Sequence, residues 1–463
     1  MASSMDGMFF ARHLISQRSA WPVAVVSLVL LAGGASPALG QAPAADSAEQ
    51  GSIPMQKLDL AAPLDGQKQV SPAGAPVAKP PAEQSPFMRD SRFGGVVRTY
   101  YFNRDKFDSS RSVAWALGGW LNYRSGYLAD LLRLGATVYT SQPLYAPDDR
   151  DGTSLLKPGQ DGFTVLGQIY GEVKFAERIF GAIGRKEYET PYVNKNDNRM
   201  TPQTFEGATV YGRAGGKDGR PEWRFGGGYL SKIKTRNSDE FVWMSRAVGA
   251  SVDRGTYLAG VNFESRDFSL GAINYYSDDI INIFYAEGAY GLKLDGGNKL
   301  KLGAQFSNQD STGDNLLRGS AFSNHQWGFK ADLSAGSALL TAAYTDTGNG
   351  PDLRSPWGAY PGYTFVQVQE FNRSNESALM FKGWYDFSRR GAQGLSAYAL
   401  YVHGAGRESP FHNEDEYDLN LQWTPKAGML KGTSFRLRYA RVAQRGGGDP
   451  AINDFRIIVN YDF

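Results

Sequence analysis

Alternation of apolar and polar residues with a period of two runs through most of this chain and constrains its fold more than any other feature. It is clearest at the C-terminus, in 453-NDFRIIVNYDF-463. The apolar set of that segment consists of Phe455, Ile457, Val459, Tyr461 and Phe463. Because successive side chains of an extended chain point to opposite sides, this pattern predicts a β-strand with one apolar and one hydrated face.

The same alternation recurs in many earlier segments. Clear examples are 165–175, 327–334, 417–424 and 435–439. From about residue 92 onward, segments of about ten residues are separated by turn signals, and we count about eighteen of them. No convincing helical periodicity is present in this stretch. The sequence therefore predicts an all-β chain.

Connections between these segments are of two kinds. Short turns include 265–266, 295–298 and 389–394. The long polar connections are 141–160, 234–253, 308–324 and 347–375. Short turns alternating with long loops are typical of a bacterial outer-membrane barrel, and an even strand number leaves both chain ends in the periplasm. We therefore predict a transmembrane antiparallel β-barrel of about eighteen strands, wide enough for an aqueous channel. A soluble β-sandwich is the alternative.

The N-terminal region differs from the rest of the chain. Residues 1–40 have the features of a signal peptide, because basic residues precede the apolar run 21–33 and small residues follow it. A retained interfacial anchor helix is the alternative. Residues 41–91, rich in proline and alanine, predict a disordered periplasmic segment. This leaves 92–463 for a barrel in the bacterial outer membrane.

Composition excludes several classes of function. The chain has no cysteine, which rules out a disulfide framework, a thiol nucleophile and cysteine-ligated metal centres. Its formal net charge of +2 argues against a nucleic-acid binder that acts through bulk charge. No cofactor or metal is expected from the sequence. Any role of charged residues in binding must therefore come from local groups of them and not from the net charge of the chain.

A catalytic role would need a nucleophile and a base. The chain has four histidines, of which His403 and His412 lie near Glu408 and Ser409. This is a weak constellation, more typical of a solvated loop. We expect that the chain is not an enzyme, and an outer-membrane hydrolase is retained only as an alternative.

Three arginines of the last strands fix which face meets lipid. Arg436, Arg438 and Arg456 have the polar parity of their segments. Turned toward lipid, each would cost roughly 2–4 kcal/mol near the centre of the bilayer, so we expect them in the lumen. They could instead serve only as ion-pair partners of wall carboxylates such as Asp418 and Asp454.

Five stretches of the chain resemble the OprD family of substrate-selective outer-membrane porins. They are 97-VRTYYFNRD-105, 199-RMTPQTFEG-207, 371-FNRSNESALMFKGWYDF-387, 434-SFRLRYARV-442 and 454-DFRIIVNY-461. The resemblance covers nearly everything after residue 90. It implies an eighteen-stranded barrel, monomeric or homotrimeric, with an inward third loop and a row of basic wall residues, a basic ladder, that draws carboxylate-bearing solutes through.

The resemblance also implies roles for individual residues. The ladder would contain Arg436, Arg438 and Arg456, with Arg98 as a further rung. The stretch 191–205 resembles the infolded third loop. In that loop the constriction would be shaped by Asn194, Asn196, Asn198, Pro202 and Gln203, and its charge carried by Lys195, Asp197 and Arg199. Ordinary turn chemistry is the alternative for these residues. No family motif maps onto 347–367.

The sequence thus predicts a porin for passive, selective diffusion of small carboxylates, either organic acids or amino acids. A general diffusion porin and a structural or adhesin barrel are the alternatives. Outer-membrane lipid is an expected partner, and so is the barrel-assembly machinery, which would bind the C-terminal strand that ends at Phe463. No nucleic-acid partner is expected.

Overall fold

The computed structural model describes residues 85–216, 219–407, 412–446 and 450–463. The predicted signal peptide, 1–40, and most of the predicted disordered segment lie outside the described residues. At the end of that segment the chain forms a four-residue helix, α1 (Pro86–Arg89). The carbonyl oxygen of Phe87 accepts a hydrogen bond from the backbone N–H of Gly126 at 2.9 Å. The prediction of a disordered segment up to residue 91 is therefore wrong for this helix.

The described residues form nineteen strands. In chain order they are β1 (Arg92–Asp105), β2 (Arg111–Arg124), β3 (Leu132–Tyr145), β4 (Phe163–Ala176), β5 (Ile179–Lys186), β6 (Thr204–Gly215), β7 (Glu222–Lys234), β8 (Val242–Trp243), β9 (Thr256–Glu264), β10 (Phe268–Ser277), β11 (Ile281–Lys293), β12 (Lys299–Asp310), β13 (Ser323–Ala335), β14 (Ala338–Thr347), β15 (Glu376–Asp386), β16 (Leu395–Gly406), β17 (Glu414–Trp423), β18 (Thr433–Gln444) and β19 (Ala451–Asp462). β8 pairs only with the end of β7. The other eighteen form one antiparallel sheet, in which each strand pairs with its neighbour in the chain.

The sheet closes on itself between its first and last strands. β1 pairs antiparallel with β19, with Val97 opposite Tyr461. Beyond the last pair, Gly95 and Phe463 exchange backbone hydrogen bonds of 3.0 and 3.1 Å. Closure leaves no open sheet edge, which a bilayer requires because hydrocarbon offers backbone groups no partner. The predicted barrel of about eighteen strands is confirmed.

The apolar face of each strand lies on the outside of the barrel. On β17, Leu419 is 57% exposed whereas the preceding Asp418 is 1% exposed. Tyrosines at 401, 417 and 439 lie close together on the outer face, because β16, β17 and β18 place them at neighbouring register positions. Such aromatic rings mark a membrane interface. The exposed apolar surface excludes the soluble β-sandwich.

The long connections lie together at one end of the barrel. The ones used below are L2 (146–162), L3 (187–203), L4 (235–255) and L7 (348–375). They agree within a few residues with the long connections predicted from sequence. L3, which was identified as a loop only through the family resemblance of 191–205, joins β5 to β6. No helix in the described part of the chain is long and apolar enough to cross a bilayer.

Loop residues fill one side of the barrel interior. Tyr192 and Val193 of L3, Met244 of L4 and Trp357 of L7 belong to one buried apolar cluster, whose strand residues come from β5–β7 and β9–β11. The Trp357 Nε1–H donates to the carbonyl oxygen of Met244 at 3.0 Å. Large apolar side chains thus hold the loops against one wall. The free interior space lies beside the opposite wall.

We predict that Gly95→Ala destabilises the barrel at its closure. A Cβ atom at this position would lie 2.6 Å from the backbone oxygen of Trp120 and 2.6 Å from the ring of Phe463. Because a backbone oxygen cannot move aside freely, we expect a loss of about 1–3 kcal/mol. The measurement is the temperature at which the folded, fast-migrating band is lost in semi-native gel electrophoresis. Gly288→Ala is the control, since its nearest neighbour would lie at 3.4 Å. Equal transition temperatures for the two variants would contradict the prediction.

Candidate functional site: a constriction between two loops and a basic wall

Asn194 of L3 joins the two inward loops. Its Nδ2 donates to the carbonyl oxygen of Ala359 in L7 at 3.1 Å, and its Oδ1 accepts from the N–H of Ala359 at 2.9 Å. Next to it, Val193 forms a parallel bridge with Trp357. Asn194 is 2% exposed. It therefore fixes L3 to L7 rather than facing a solute path.

Arg98 anchors L3 to the barrel wall. Its Nη1 donates to Asp197 Oδ1 at 2.6 Å and to the carbonyl oxygen of Arg199 at 2.5 Å, while its Nε donates to Asn460 Oδ1 at 2.8 Å. The side chain is nearly buried. Its charge is balanced by Asp197. The structure thus places Arg98 under the loop and outside the cavity described below.

The remaining predicted loop residues also bond mainly within the protein. Arg199 Nε donates to the carbonyl oxygen of Thr153 in L2 at 2.7 Å. Lys195 Nζ lies 3.7 Å from Glu189 Oε2. The N–H of Gln203 donates to the carbonyl oxygen of Lys195 at 2.7 Å. Pro202 is buried, and Asn196 adopts a left-handed backbone conformation with φ of 43°.

Asn198 differs from these residues because it borders the open space. Its side chain Oδ1 accepts from Arg236 Nη1 of L4 at 2.6 Å, and the residue lines an internal cavity described below. Of the eight predicted residues of L3, it is the one that lines this cavity. L3 as a whole narrows the interior of the barrel, mainly because its buried residues pack against the wall and fill space there.

L7 contributes a second inward segment, which the sequence analysis missed. Glu416 accepts hydrogen bonds from the N–H groups of Val368 and Gln369, each at 2.8 Å. Asp418 Oδ2 accepts from the N–H of Gln367 at 3.1 Å. Both carboxylates lie on β17 and are almost completely buried. We call this arrangement the L7 clamp. The sequence signal for it was a series of acidic residues with a period of two, at 414–418.

The cavity lies between L7 and the wall of β13–β19 and has a volume of about 290 Å³. Its lining includes the predicted Arg436, Arg438 and Arg456, together with two lysines that the sequence analysis did not single out. Its other lining residues are Asn198, Lys330, Asp332, Thr341, Tyr360, Tyr363, Phe365, Val366, Gln367, Met380, Lys382, Tyr398, Leu400 and Asp418. The cavity lining therefore combines basic residues of the wall with apolar residues from both L7 and the wall.

Arg456 is engaged in holding the structure together. It is 1% exposed. Its Nε donates to Asp454 Oδ1 at 2.6 Å, and its Nη2 donates to the carbonyl oxygen of Gln367 at 3.2 Å. Arg104 shares Asp454, with Nη2 at 2.6 Å. The alternative considered from sequence, pairing with a wall carboxylate, therefore describes Arg456.

Arg436 and Arg438 have a different environment. Arg436 Nε donates to Asn420 Oδ1 at 2.6 Å, and Arg438 Nη2 donates to the hydroxyl of Tyr398 at 3.2 Å. Among the described residues, no carboxylate oxygen lies within 4.0 Å of either guanidinium. Arg438 also lies directly opposite Arg456 in the β18–β19 register. Two arginines with neutral partners thus face the cavity.

The candidate catalytic histidine lies away from this cavity. His403 is on β16, and its Nδ1 lies 2.7 Å from Asp415 Oδ1. Asp415 also accepts from the Tyr401 hydroxyl at 2.9 Å and from Arg445 Nε at 2.7 Å. Glu408 and Ser409, considered together with it from sequence, lie outside the described residues.

We predict that Glu416→Ala loosens L7 and widens the passage. The substitution removes the acceptor of two backbone N–H groups. Hydrogen bonds to charged groups contribute about 1.5–3 kcal/mol each. We expect a larger and noisier single-channel conductance in planar bilayers. Glu240→Ala in L4 is the control, because its side chain is exposed. Conductance traces indistinguishable from the wild type would contradict a role of the clamp in holding L7.

We predict that Glu187, at the start of L3, makes ion selectivity depend on pH. Burial raises the pKa of Glu187 to about 7, although Lys195 opposes the shift. The carboxyl group accepts from the Tyr139 hydroxyl at 2.5 Å. As the pH rises from about 6 to about 8, the group ionises and adds negative charge to the interior. Reversal potentials should then shift toward lower anion preference, and Glu187→Gln should make this shift smaller. A shift of unchanged size in this variant would assign it to another group.

Comparison with known proteins agrees with this architecture. A sequence model described as "outer membrane porin, OprD family" matches residues 85–463. Porin D of Pseudomonas aeruginosa is 24% identical over 419 residues, which cover 82% of this chain and 92% of that protein.

Solved structures show the same fold. Pseudomonas aeruginosa OccK9 (OpdG) superposes with a TM-score of 0.72 at 24% identity, and the match covers 82% of this chain and 100% of that chain. Acinetobacter baumannii OccAB3 has a TM-score of 0.72 at 19% identity, covering 81% of this chain and 100% of that chain. With a family match that extends from α1 to the last residue, the chain belongs to the OprD family of outer-membrane porins.

Proposed function

We propose that this porin is selective for small organic acids, which pass along the basic wall of its constriction. The observation that carries the proposal is the pair Arg436 and Arg438. Both line the cavity, and both have neutral hydrogen-bond partners. A solute carboxylate can therefore bind these guanidinium groups without displacing an existing ion pair.

The spacing of the two arginines suits transport. Side chains two residues apart on one strand lie about 6.6–6.8 Å apart along it. A carboxylate can pass from one guanidinium to the next while it stays partly solvated. Arginine remains charged and offers a planar donor fork to carboxylates. Conduction needs binding that is weak and repeated, and two neighbouring stations meet this condition.

The charges near the constriction favour organic acids over amino acids. An amino acid would need a free carboxylate for its ammonium group. The L3 candidate Asp197 is paired with Arg98. In the cavity lining, Asp332 lies 3.5 Å from Lys330, and Asp418, whose Oδ2 holds the backbone of L7, is outnumbered by Lys382, Arg436 and Arg438.

The apolar part of the lining would contact the carbon skeleton of the solute. The apolar lining residues are Tyr360, Tyr363 and Phe365 of L7 and Met380 and Leu400 of the wall. Of these, Tyr363, Met380 and Leu400 pack together in one cluster. One solved relative, Pseudomonas aeruginosa OpdK, was crystallised with vanillate, an aromatic carboxylate. An acid with an apolar body would therefore fit both the basic and the apolar parts of the lining.

A general diffusion porin is the second candidate. It is favoured by the solvent-accessible cavity alone, because any small hydrophilic solute could enter a passage of this kind. Liposome swelling separates the two functions. A selective porin should admit carboxylates faster than neutral sugars of equal size, whereas a general porin should admit both at similar rates.

We predict that Arg436→Ala combined with Arg438→Ala reduces the preference for anions and slows carboxylate entry. Loss of charged hydrogen bonds should weaken carboxylate binding by about tenfold or more. The measurements are reversal potentials in planar bilayers and swelling rates of proteoliposomes. Arg441→Ala is a matched control, because Arg441 lies on the same strand but on its outer face, and is exposed. Unchanged selectivity in the double variant would contradict the proposal.

A further inference from the structure

The cavity has more positive charge than its own carboxylates can balance. Five cationic side chains line it, against two carboxylates. Two of the cations are already paired, Lys330 with Asp332 at 3.5 Å and Arg456 with Asp454 at 2.6 Å. Three remain, and they are Lys382, Arg436 and Arg438.

Within the described part of the chain, these three cations have no carboxylate oxygen within 4.0 Å. Asp418 is the one remaining carboxylate of the lining, and it also holds the N–H of Gln367. Even when Asp418 is counted against the three cations, two positive charges are left over. A solute with a single carboxylate would balance only one of them.

Tyr398 separates the two groups of cations. Lys382 Nζ lies over its ring, 4.5 Å from the centroid, and Arg438 Nη2 binds its hydroxyl at 3.2 Å. Lys382 comes from β15, whereas both arginines come from β18. Both cationic positions therefore contact the same tyrosine side chain from different strands.

We propose that the preferred solutes are dicarboxylates, with one carboxylate at Arg436 and Arg438 and the other at Lys382. This proposal rests on the proposed function and specifies its substrate class. The carbon chain between the two carboxylates lies against Tyr398 and the apolar residues Met380 and Leu400, which also line the cavity. Lys382 thereby becomes the residue that distinguishes dicarboxylates from monocarboxylates.

The test compares succinate with butyrate, which have the same chain length and differ in one carboxylate. Purified full-length porin in planar bilayers is titrated with each acid at about pH 7, where carboxylates are ionised, and block of the chloride current gives an apparent affinity. Lys382→Met keeps the length of the side chain and removes its charge. Lys232→Met is the control, because Lys232 also lies over an aromatic ring but is paired with Glu206 and is not part of the cavity lining.

We expect succinate to bind wild-type porin about tenfold more tightly than butyrate, as one additional charged contact would give. Lys382→Met should remove this difference while leaving butyrate affinity nearly unchanged, and Lys232→Met should retain it. Equal affinities of wild-type porin for the two acids would overturn the dicarboxylate proposal. So would a loss of affinity for both acids to the same extent in Lys382→Met.

The same titration separates this proposal from the function on which it rests. A neutral molecule of similar size, butyramide, is added as a third ligand. If both acids bind more tightly than butyramide but equally to each other, the carboxylate porin stands and the dicarboxylate proposal fails. If neither acid binds more tightly than butyramide, the carboxylate function fails as well.

Discussion

The structure depends on one constraint, which is that every backbone N–H and C=O group inside hydrocarbon must find a partner within the protein. The eighteen barrel strands meet it by pairing in chain order and joining β1 to β19. Closure of this kind determines the surroundings of both faces of the sheet. The apolar residues of each strand contact lipid, and the polar residues line an interior too wide to be filled by side chains of the wall.

Loops divide that interior into two unequal parts. L3, L4 and L7 bring large apolar side chains into contact with the inner face of β5–β7 and β9–β11. The contact buries these side chains, which stabilises the inward position of loops that would otherwise be solvated. The cavity lies beside β13–β19, and its basic residues Lys330, Lys382, Arg436, Arg438 and Arg456 belong to that wall. Packing of the loops against the other wall therefore leaves the space beside the basic residues open.

Sequence reasoning succeeded where the signal is local. Alternation with a period of two identifies strands, and the high cost of an arginine near the centre of the bilayer assigns the face of Arg436 and Arg438. Arg436 and Arg438 lie on the inside, and the apolar face lies outside. The long connections other than L3 were also predicted from sequence, whereas L3 was identified only through the family resemblance. The path of a loop was not readable from the sequence.

The reason is that a loop's path depends on partners far away in the chain. L7 is drawn inward by Glu416 and Asp418, and nothing within 348–375 indicates those partners. Arg98 shares the parity of residues that face inward, yet its contact with Asp197 places it beneath L3. The role proposed for Lys382 in solute binding follows from its position over Tyr398, which the alternating pattern does not predict. The position of a residue in the alternating pattern predicts which face of the sheet it lies on. Its contacts with residues distant in the chain determine what it does there.

The L7 clamp has a consequence for how such channels could diversify. Its hydrogen bonds reach main-chain N–H groups of the loop, so they do not depend on which side chains the loop carries at those positions. Gln367, whose side chain lines the cavity, can then change while its main-chain N–H keeps the hydrogen bond to Asp418. The chemistry of the cavity lining can therefore vary independently of the assembly of the barrel. Substitutions in a short stretch of L7 would then change which solutes one and the same barrel admits.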